Sequence, residues 1–182
     1  MPPRPALFLD RDGVINRRLP GDYVRQPEQF VFEPNALQAL RLLAEWFNPI
    51  VVVTNQAGVG KGLMTINDLC AVHEKMLREV VWAGGRIDGV YFCPHRPDEG
   101  CPCRKPATGM AYQARRDFPQ IAFSTAWMVG DAPTDMAFGA ALGMQTALIL
   151  GNNDESADGD RPSDNVTQRF ASLWDFACHF SP

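Results

Sequence analysis

Five short apolar runs alternate with helical stripes along this chain, and that alternation limits its fold more than any single residue does. The runs occupy residues 6–9, 50–54, 89–92, 126–130 and 146–150. Runs this brief cannot sustain a helix, but they suit strands buried on both faces. Between them, Leu37, Leu40, Ala44 and Phe47 follow Pro34 at helical spacing, and Leu69, Val72, Met76 and Val80 follow a Thr65–Asp68 start signal. A further helix is expected over residues 109–117, a closely packed one around Ala137, Ala140 and Ala141, and a terminal one with Phe170, Leu173, Trp174 and Ala177 on its stripe. Strands alternating with helices predict an α/β fold: a Rossmann-like three-layer sandwich on a central parallel sheet. A chain of 182 residues without a linker or internal repeat predicts a single domain spanning 1–182.

Charge narrows the partners. A net charge of −4 gives no general pull towards nucleic acid or anionic membrane. An anionic substrate would therefore need a local cation. No signal peptide or membrane-spanning stretch is visible, and five cysteines, three of them in one segment, argue against a disulfide framework. The expected form is a cytoplasmic monomer acting on a small molecule.

The polar residues that end the strands point to chemistry. Asp10 and Asp12 close the first run, two apart and so facing one way, and Gly13 lets the chain turn behind them. Thr54, Asn55 and Gln56 close the second, and Asp131, with Asp135 beyond it, closes the fourth. Parallel strands bring their carboxyl ends to one edge, where α/β sheets bind ligands. Lys105 and Arg104 approach from the irregular segment 93–106, and Gly21, Asp22 and Tyr23 lie in a long loop after the first strand. Each residue alone has a plainer reading as a turn, a helix-end acid or a surface lysine; their joint position on strand ends outweighs it.

Carboxylates beside hydroxyl, amide and ammonium groups suit Mg²⁺ and phosphate. A carboxylate approaching a phosphate dianion at about 4 Å meets roughly 8 kcal/mol of repulsion at an effective dielectric near 20, or almost six decades in rate. Mg²⁺ between Asp10 and Asp131, with Lys105 nearby, would cancel most of that. Gly58-Val59-Gly60-Lys61-Gly62 imitates a nucleotide-binding P-loop, but Gly62 stands where Ser or Thr should hold Mg²⁺ and Asn55 where the first glycine belongs. Cys93, His95, Cys101 and Cys103 match a closed, structural Zn²⁺ site that would staple the loop carrying Arg104 and Lys105. Cys70 and Cys178 read as apolar fillers, and His73 and His179 as packing or surface residues.

Together, Phe8-Leu9-Asp10-Arg11-Asp12-Gly13, Val53-Thr54-Asn55-Gln56, Cys103-Arg104-Lys105-Pro106 and Val129-Gly130-Asp131 resemble the four ordered motifs of the haloacid dehalogenase superfamily, over roughly residues 6–150. Within it the chain is similar to the heptose-bisphosphate phosphatases and, less closely, to the histidinol-phosphate phosphatases. Gly60-Lys61-Gly62 with Thr65, and Pro106-Ala107-Thr108-Gly109-Met110, look more like the former. The resemblance implies a Mg²⁺-dependent phosphatase of a sugar bisphosphate, serving ADP-heptose and lipopolysaccharide precursor synthesis; the alternatives are a histidinol-phosphate phosphatase of histidine biosynthesis and, outside enzymes, a zinc-organised phosphate-binding interaction module. It implies Asp10 as nucleophile, Asp12 as general acid and base, and Mg²⁺ held by Asp10, the Asp12 carbonyl and Asp131. Thr54 and Lys105 would steady the phosphoryl group, Asn55 and Gln56 would bind phosphate or substrate beside them, Arg104 would recognise substrate, and Gly21, Asp22 and Tyr23 would shape the sugar pocket. No large insertion separates the motifs, so no large cap domain is expected. Ala132 follows Asp131 where some heptose enzymes carry lysine, so any metal contact from that side chain is absent.

Overall fold

The computed structural model describes residues 4–151 and 165–180; residues 152–164, whose acidic and polar sequence reads as a loop, lie outside the described residues. Six strands build one sheet: β1 (Leu7–Leu9), β2 (Ile50–Asn55), β3 (Gly89–Cys93), β4 (Trp127–Gly130), β5 (Gln145–Ile149) and β6 (Gln168–Phe170), in the order β3-β2-β1-β4-β5-β6. Every neighbouring pair is parallel. β1 is central, with Leu7 opposite Ile50 on one side and Trp127 on the other. The order reverses between β1 and β4, which opens a crevice at their carboxyl ends.

The helices are α1 (Ala36–Trp46), α2 (Ala57–Gly60), α3 (Ile66–Trp82), α4 (Gly109–Asp117), α5 (Pro133–Ala141) and α6 (Leu173–Cys178). Strand alternation sorts them into two layers. Leu7 and Leu9 pack with Leu40 and Leu43 of α1, Val72 and Met76 of α3, and Phe176 of α6. Phe8, pointing the other way, packs with Met110 and Ala114 of α4 and Phe138 of α5. The α/β architecture with a central parallel sheet is as expected. At the start of α3, Thr65 accepts from the Asp68 backbone N–H while the Asp68 carboxylate takes the Thr65 N–H, a reciprocal cap that the Thr65–Asp68 spacing announced.

Two expectations fail. Phe170 belongs to β6 rather than to the terminal helix, which begins at Leu173. Gln168-Arg169-Phe170 is a short edge strand with one apolar residue, so no hydrophobic run marked it; Phe170 still meets Phe176 edge-on at 5.3 Å. Cys70 and Cys178 are exposed rather than core fillers. Cys70 sits one residue, about 100° of helix, from Leu69 on the buried stripe of α3. No helix of the described residues is long and apolar enough to cross a membrane.

Candidate active site

The carboxyl ends of β1, β2 and β4 meet on one edge, as their parallel register requires. Asp10 continues β1 by one residue, donating its N–H to Val129 O of β4 at 2.9 Å. Gly13 then turns the chain at φ +89°, and a Cβ there would run into the Asp131 carboxylate. Glycine is thus what allows Asp131 to approach Asp10.

Lys105 is the hub. Its Nζ, almost fully buried, lies 2.8 Å from Asp10 Oδ1 and 2.6 Å from Asp135 Oδ1, and donates to Val53 O at 2.7 Å. Burial alone would discharge this amine, but Asp10 and Asp135 outweigh it and hold its pKa above the ordinary lysine value. Asn55 fixes the loop that delivers it: the Asn55 amide donates to Lys105 O, and the Lys105 N–H donates to Asn55 Oδ1, at 3.1 and 3.0 Å.

The carboxylates differ in their surroundings. Burial pushes Asp10 up to about 6, with Lys105 opposing and Asp135 adding to the rise. Burial, and then the charge of Asp10, pushes Asp131 up to about 7, against the Arg18 guanidinium 2.8 Å away. Asp12 goes the other way. Its burial would raise it, but the Arg11 charge and hydrogen bonds from Arg11, Asn16 and Gln56 leave it below the usual carboxylate range. Ligand oxygens of Asp10, Asp131 and Asp135 lie within 4.8 Å of one another. Lys105 engages Asp135 and one oxygen of Asp10, and Arg18 reaches one oxygen of Asp131, so a divalent cation could be shared by the remaining oxygens of Asp10 and Asp131.

These groups open into a cavity of about 440 Å³. Asp10, Asp12, Thr54, Asn55, Arg104 and Lys105 form its floor, and Gly21, Asp22 and Tyr23 face them from the loop after β1. One Nη of Arg104 has no protein partner. Gln56, expected to touch the ligand, is instead fully buried beneath the floor, donating to Asp12 Oδ2 at 2.8 Å and Thr54 Oγ1 at 2.9 Å. The P-loop look-alike is a single helical turn that brings Lys61 to the rim, where its Nζ donates to the Tyr23 hydroxyl at 3.0 Å. Sequence reasoning assigned no task to Arg18, Lys61, Asn16 or Arg11, and read His73 as packing or surface. His73 is buried and hydrogen-bonded to Arg11, while burial and that guanidinium push its pKa down to about 3.

Beside the cavity, Cys93, His95, Cys101 and Cys103 bring four ligand atoms within 4.8 Å of one another. Sγ of Cys101 stands 3.3 Å from both Cys93 and Cys103, and His95 Nδ1 is 3.3 Å from Cys103. The four side chains can hold a metal ion immediately before Arg104.

Comparison with known proteins agrees with this geometry. Residues 102–176 match the HAD-hydrolase-like family model. The D-glycero-alpha-D-manno-heptose-1,7-bisphosphate 7-phosphatase of Mycobacterium bovis is 39% identical over 176 residues, covering 94% of this chain and 89% of the relative. The chain belongs to the heptose-1,7-bisphosphate 7-phosphatase family of the haloacid dehalogenase superfamily. The D-glycero-beta-D-manno-heptose-1,7-bisphosphate 7-phosphatase of Neisseria meningitidis is 36% identical, covering 94% of this chain and 91% of its own. Among solved structures, a D,D-heptose 1,7-bisphosphate phosphatase from B. bronchiseptica, complexed with magnesium and phosphate, superposes with a TM-score of 0.85 at 32% identity, covering 96% of this chain and 97% of that one. Family members with names specifying opposite anomers thus align over nearly the whole chain.

Proposed function

We propose that this chain is a Mg²⁺-dependent phosphatase that removes the 7-phosphate of D-glycero-D-manno-heptose 1,7-bisphosphate through an aspartyl-phosphate on Asp10, in the supply of ADP-heptose for lipopolysaccharide core or related glycans. The observation that carries the chemistry is Asp10 held 2.8 Å from a buried ammonium, with Asp131 beside it, at the floor of a cavity that Arg104 also lines. The substrate comes from family membership.

Asp10 and Asp131 fit a divalent cation: burial pushes both pKa values up, with Asp135 adding to the rise at Asp10 and the Asp10 charge adding to the rise at Asp131, and a shared cation would offset that crowding of negative charge. Asp10, Asp131 and the Asp12 carbonyl would hold Mg²⁺, which supplies the charge that lets a carboxylate meet a phosphate dianion. The protein groups divide the remaining work. The free oxygen of Asp10 attacks phosphorus, the bond from phosphorus to the sugar oxygen breaks, and Asp12, raised from its low pKa by the arriving phosphate dianion so that it takes up a proton, gives that proton to the sugar oxygen. Asp12 then takes a proton from water, the water oxygen attacks phosphorus, and Asp10 departs as a carboxylate while inorganic phosphate leaves. Thr54 accepts from Gln56, so its own hydroxyl proton remains to donate to the phosphoryl group, with Lys105 as the fixed charge. Arg104 receives the substrate's second phosphate, and the Gly21–Tyr23 wall bounds the sugar.

Zn²⁺ at Cys93, His95, Cys101 and Cys103 serves as a structural staple, because four protein ligands leave it no open position. The chain acts as one domain, without a large cap, and as a monomer; the cytoplasm is where unpaired thiols remain available to zinc. The test is kcat/KM with Mg²⁺ on both anomers of the heptose bisphosphate and on histidinol phosphate. Heptose bisphosphate should lead by on the order of 100-fold, and Asp10→Asn should lower turnover by at least ~10⁴-fold. Preference for histidinol phosphate would overturn the substrate, and activity surviving in Asp10→Asn would overturn the mechanism.

A further inference from the structure

We infer that Arg11 is a positioning residue for the Asp12 carboxylate, anchored from behind by His73 of α3. The inference rests on the reading of Asp12 as general acid and base, and adds what aims it.

Arg11 follows Leu7 and Leu9 in strand parity and so turns away from the cavity, into the layer that holds α1, α3 and α6. It is a fully buried arginine. Nη2 donates to Asp12 Oδ1 at 2.9 Å, and Nη1 meets His73 Nε2 at 3.1 Å. A guanidinium carries donors only, so the bond requires Nε2 to be the bare nitrogen of a neutral ring. The ring is itself held, tilted against Phe92 of β3 with centroids 5.9 Å apart. Two further donors complete the grip on Asp12: the Asn16 amide at 3.0 Å on Oδ1 and the Gln56 amide at 2.8 Å on Oδ2.

Packing does not account for this arginine. Burying a guanidinium is costly, and an apolar side chain of the same volume would fill the space at no such cost. Moreover, its Nε finds no protein partner, so even the hydrogen bonding is incomplete. What the arginine achieves is direction. It fixes one oxygen of a carboxylate that must give a proton to the sugar oxygen and later take one from water. Misplacement of a reacting group by about 1 Å can lower a rate about 100-fold.

Leaving groups separate this role from a structural one. Release of a sugar alkoxide needs the proton from Asp12, whereas release of 4-nitrophenolate does not. The kcat/KM of each substrate reports formation of the aspartyl-phosphate, so the two can be compared directly. With the full chain and Mg²⁺, Arg11→Met should lower kcat/KM about 100-fold for heptose bisphosphate and less than about 3-fold for 4-nitrophenyl phosphate. His73→Phe should lose about 10-fold with the same selectivity. His73→Gln, whose amide oxygen can accept from the guanidinium, should remain near the parent. Equal losses on both substrates, or equal loss in His73→Gln and His73→Phe, would overturn the proposal, and the His73 pair decides alone if Arg11→Met does not fold. Asp12→Asn run in parallel guards the premise: loss without leaving-group selectivity there would overturn the acid–base reading itself.

Discussion

Two clusters of ligand side chains lie side by side in this protein and are built in opposite ways. The catalytic edge collects Asp10, Lys105, Asp131 and Asp135 from three separate parts of the chain, and its order comes from strand pairing and a buried ammonium. The Cys93–Cys103 cluster is one continuous segment that carries little regular structure beyond the end of β3 and one short 3-10 turn. Strand pairing holds the first in place; the second has only a few backbone ties to its surroundings, from the N–H groups of Gln56, Gly60 and Gly109 to the carbonyls of Cys93, Pro94 and Pro102 at 2.7, 2.9 and 2.9 Å. Yet the two are joined, because Arg104 and Lys105 follow Cys103 directly. A soft loop is thereby made to deliver a hub residue to a rigid edge.

Breaking the softer cluster should damage the harder one. Cys101→Ser, or stripping zinc by chelation, should lower kcat/KM about 100-fold through displacement of Arg104 and Lys105. Metal analysis should show zinc lost, and hydrogen exchange should rise over 93–106 while β1, β2 and β4 stay protected. Unchanged exchange in that segment would show that the loop holds its shape without the ion. A milder test keeps the loop intact: Arg104→Lys retains charge but loses the forked donor pair. KM for the bisphosphate should rise about 10-fold, with the monophosphate hardly affected.

The rigid edge has its own signature in pH. Asp10 and Asp131 titrate higher in the folded protein, at about 6 and about 7, than in the unfolded chain, where the ordinary value is 3.8. Between these limits the native state binds more protons, so stability of the metal-free protein falls as pH rises from about 4 to 7. The melting temperature should drop by on the order of 5 °C across that window, and Mg²⁺ should flatten the slope. A slope unchanged by Mg²⁺ would place the ion elsewhere. The smallest effect serves as the control: Thr65→Ala removes the α3 cap, costing about 1 kcal/mol and roughly 2–4 °C, with no change in kcat.

The contrast between the clusters also explains what could be read in advance. The Cys–His segment was visible because its ligands are near neighbours in the chain and their spacing alone is informative. Asp10, Asp12, Thr54 and Asp131 were visible for a different reason: each closes an apolar run, and parallel strands must end together. Gln56 shows the limit of that logic, since a place in the right tripeptide did not say that the side chain would turn beneath the floor. Edge strand β6 escaped because an edge needs no continuous apolar run.

Local pattern therefore determined the α/β class, the five apolar strands, the α3 cap and the edge on which the acids gather, because hydrophobic periodicity and capping act within a few residues. Tertiary structure alone decided the pairings across long sequence distances. Arg11 meets His73, Lys105 meets Asp135, Arg18 reaches Asp131, and Lys61 bends over Tyr23. Such contacts depend on how layers stack and loops close, and a buried charge shows its purpose only when the partner that offsets its desolvation is in place.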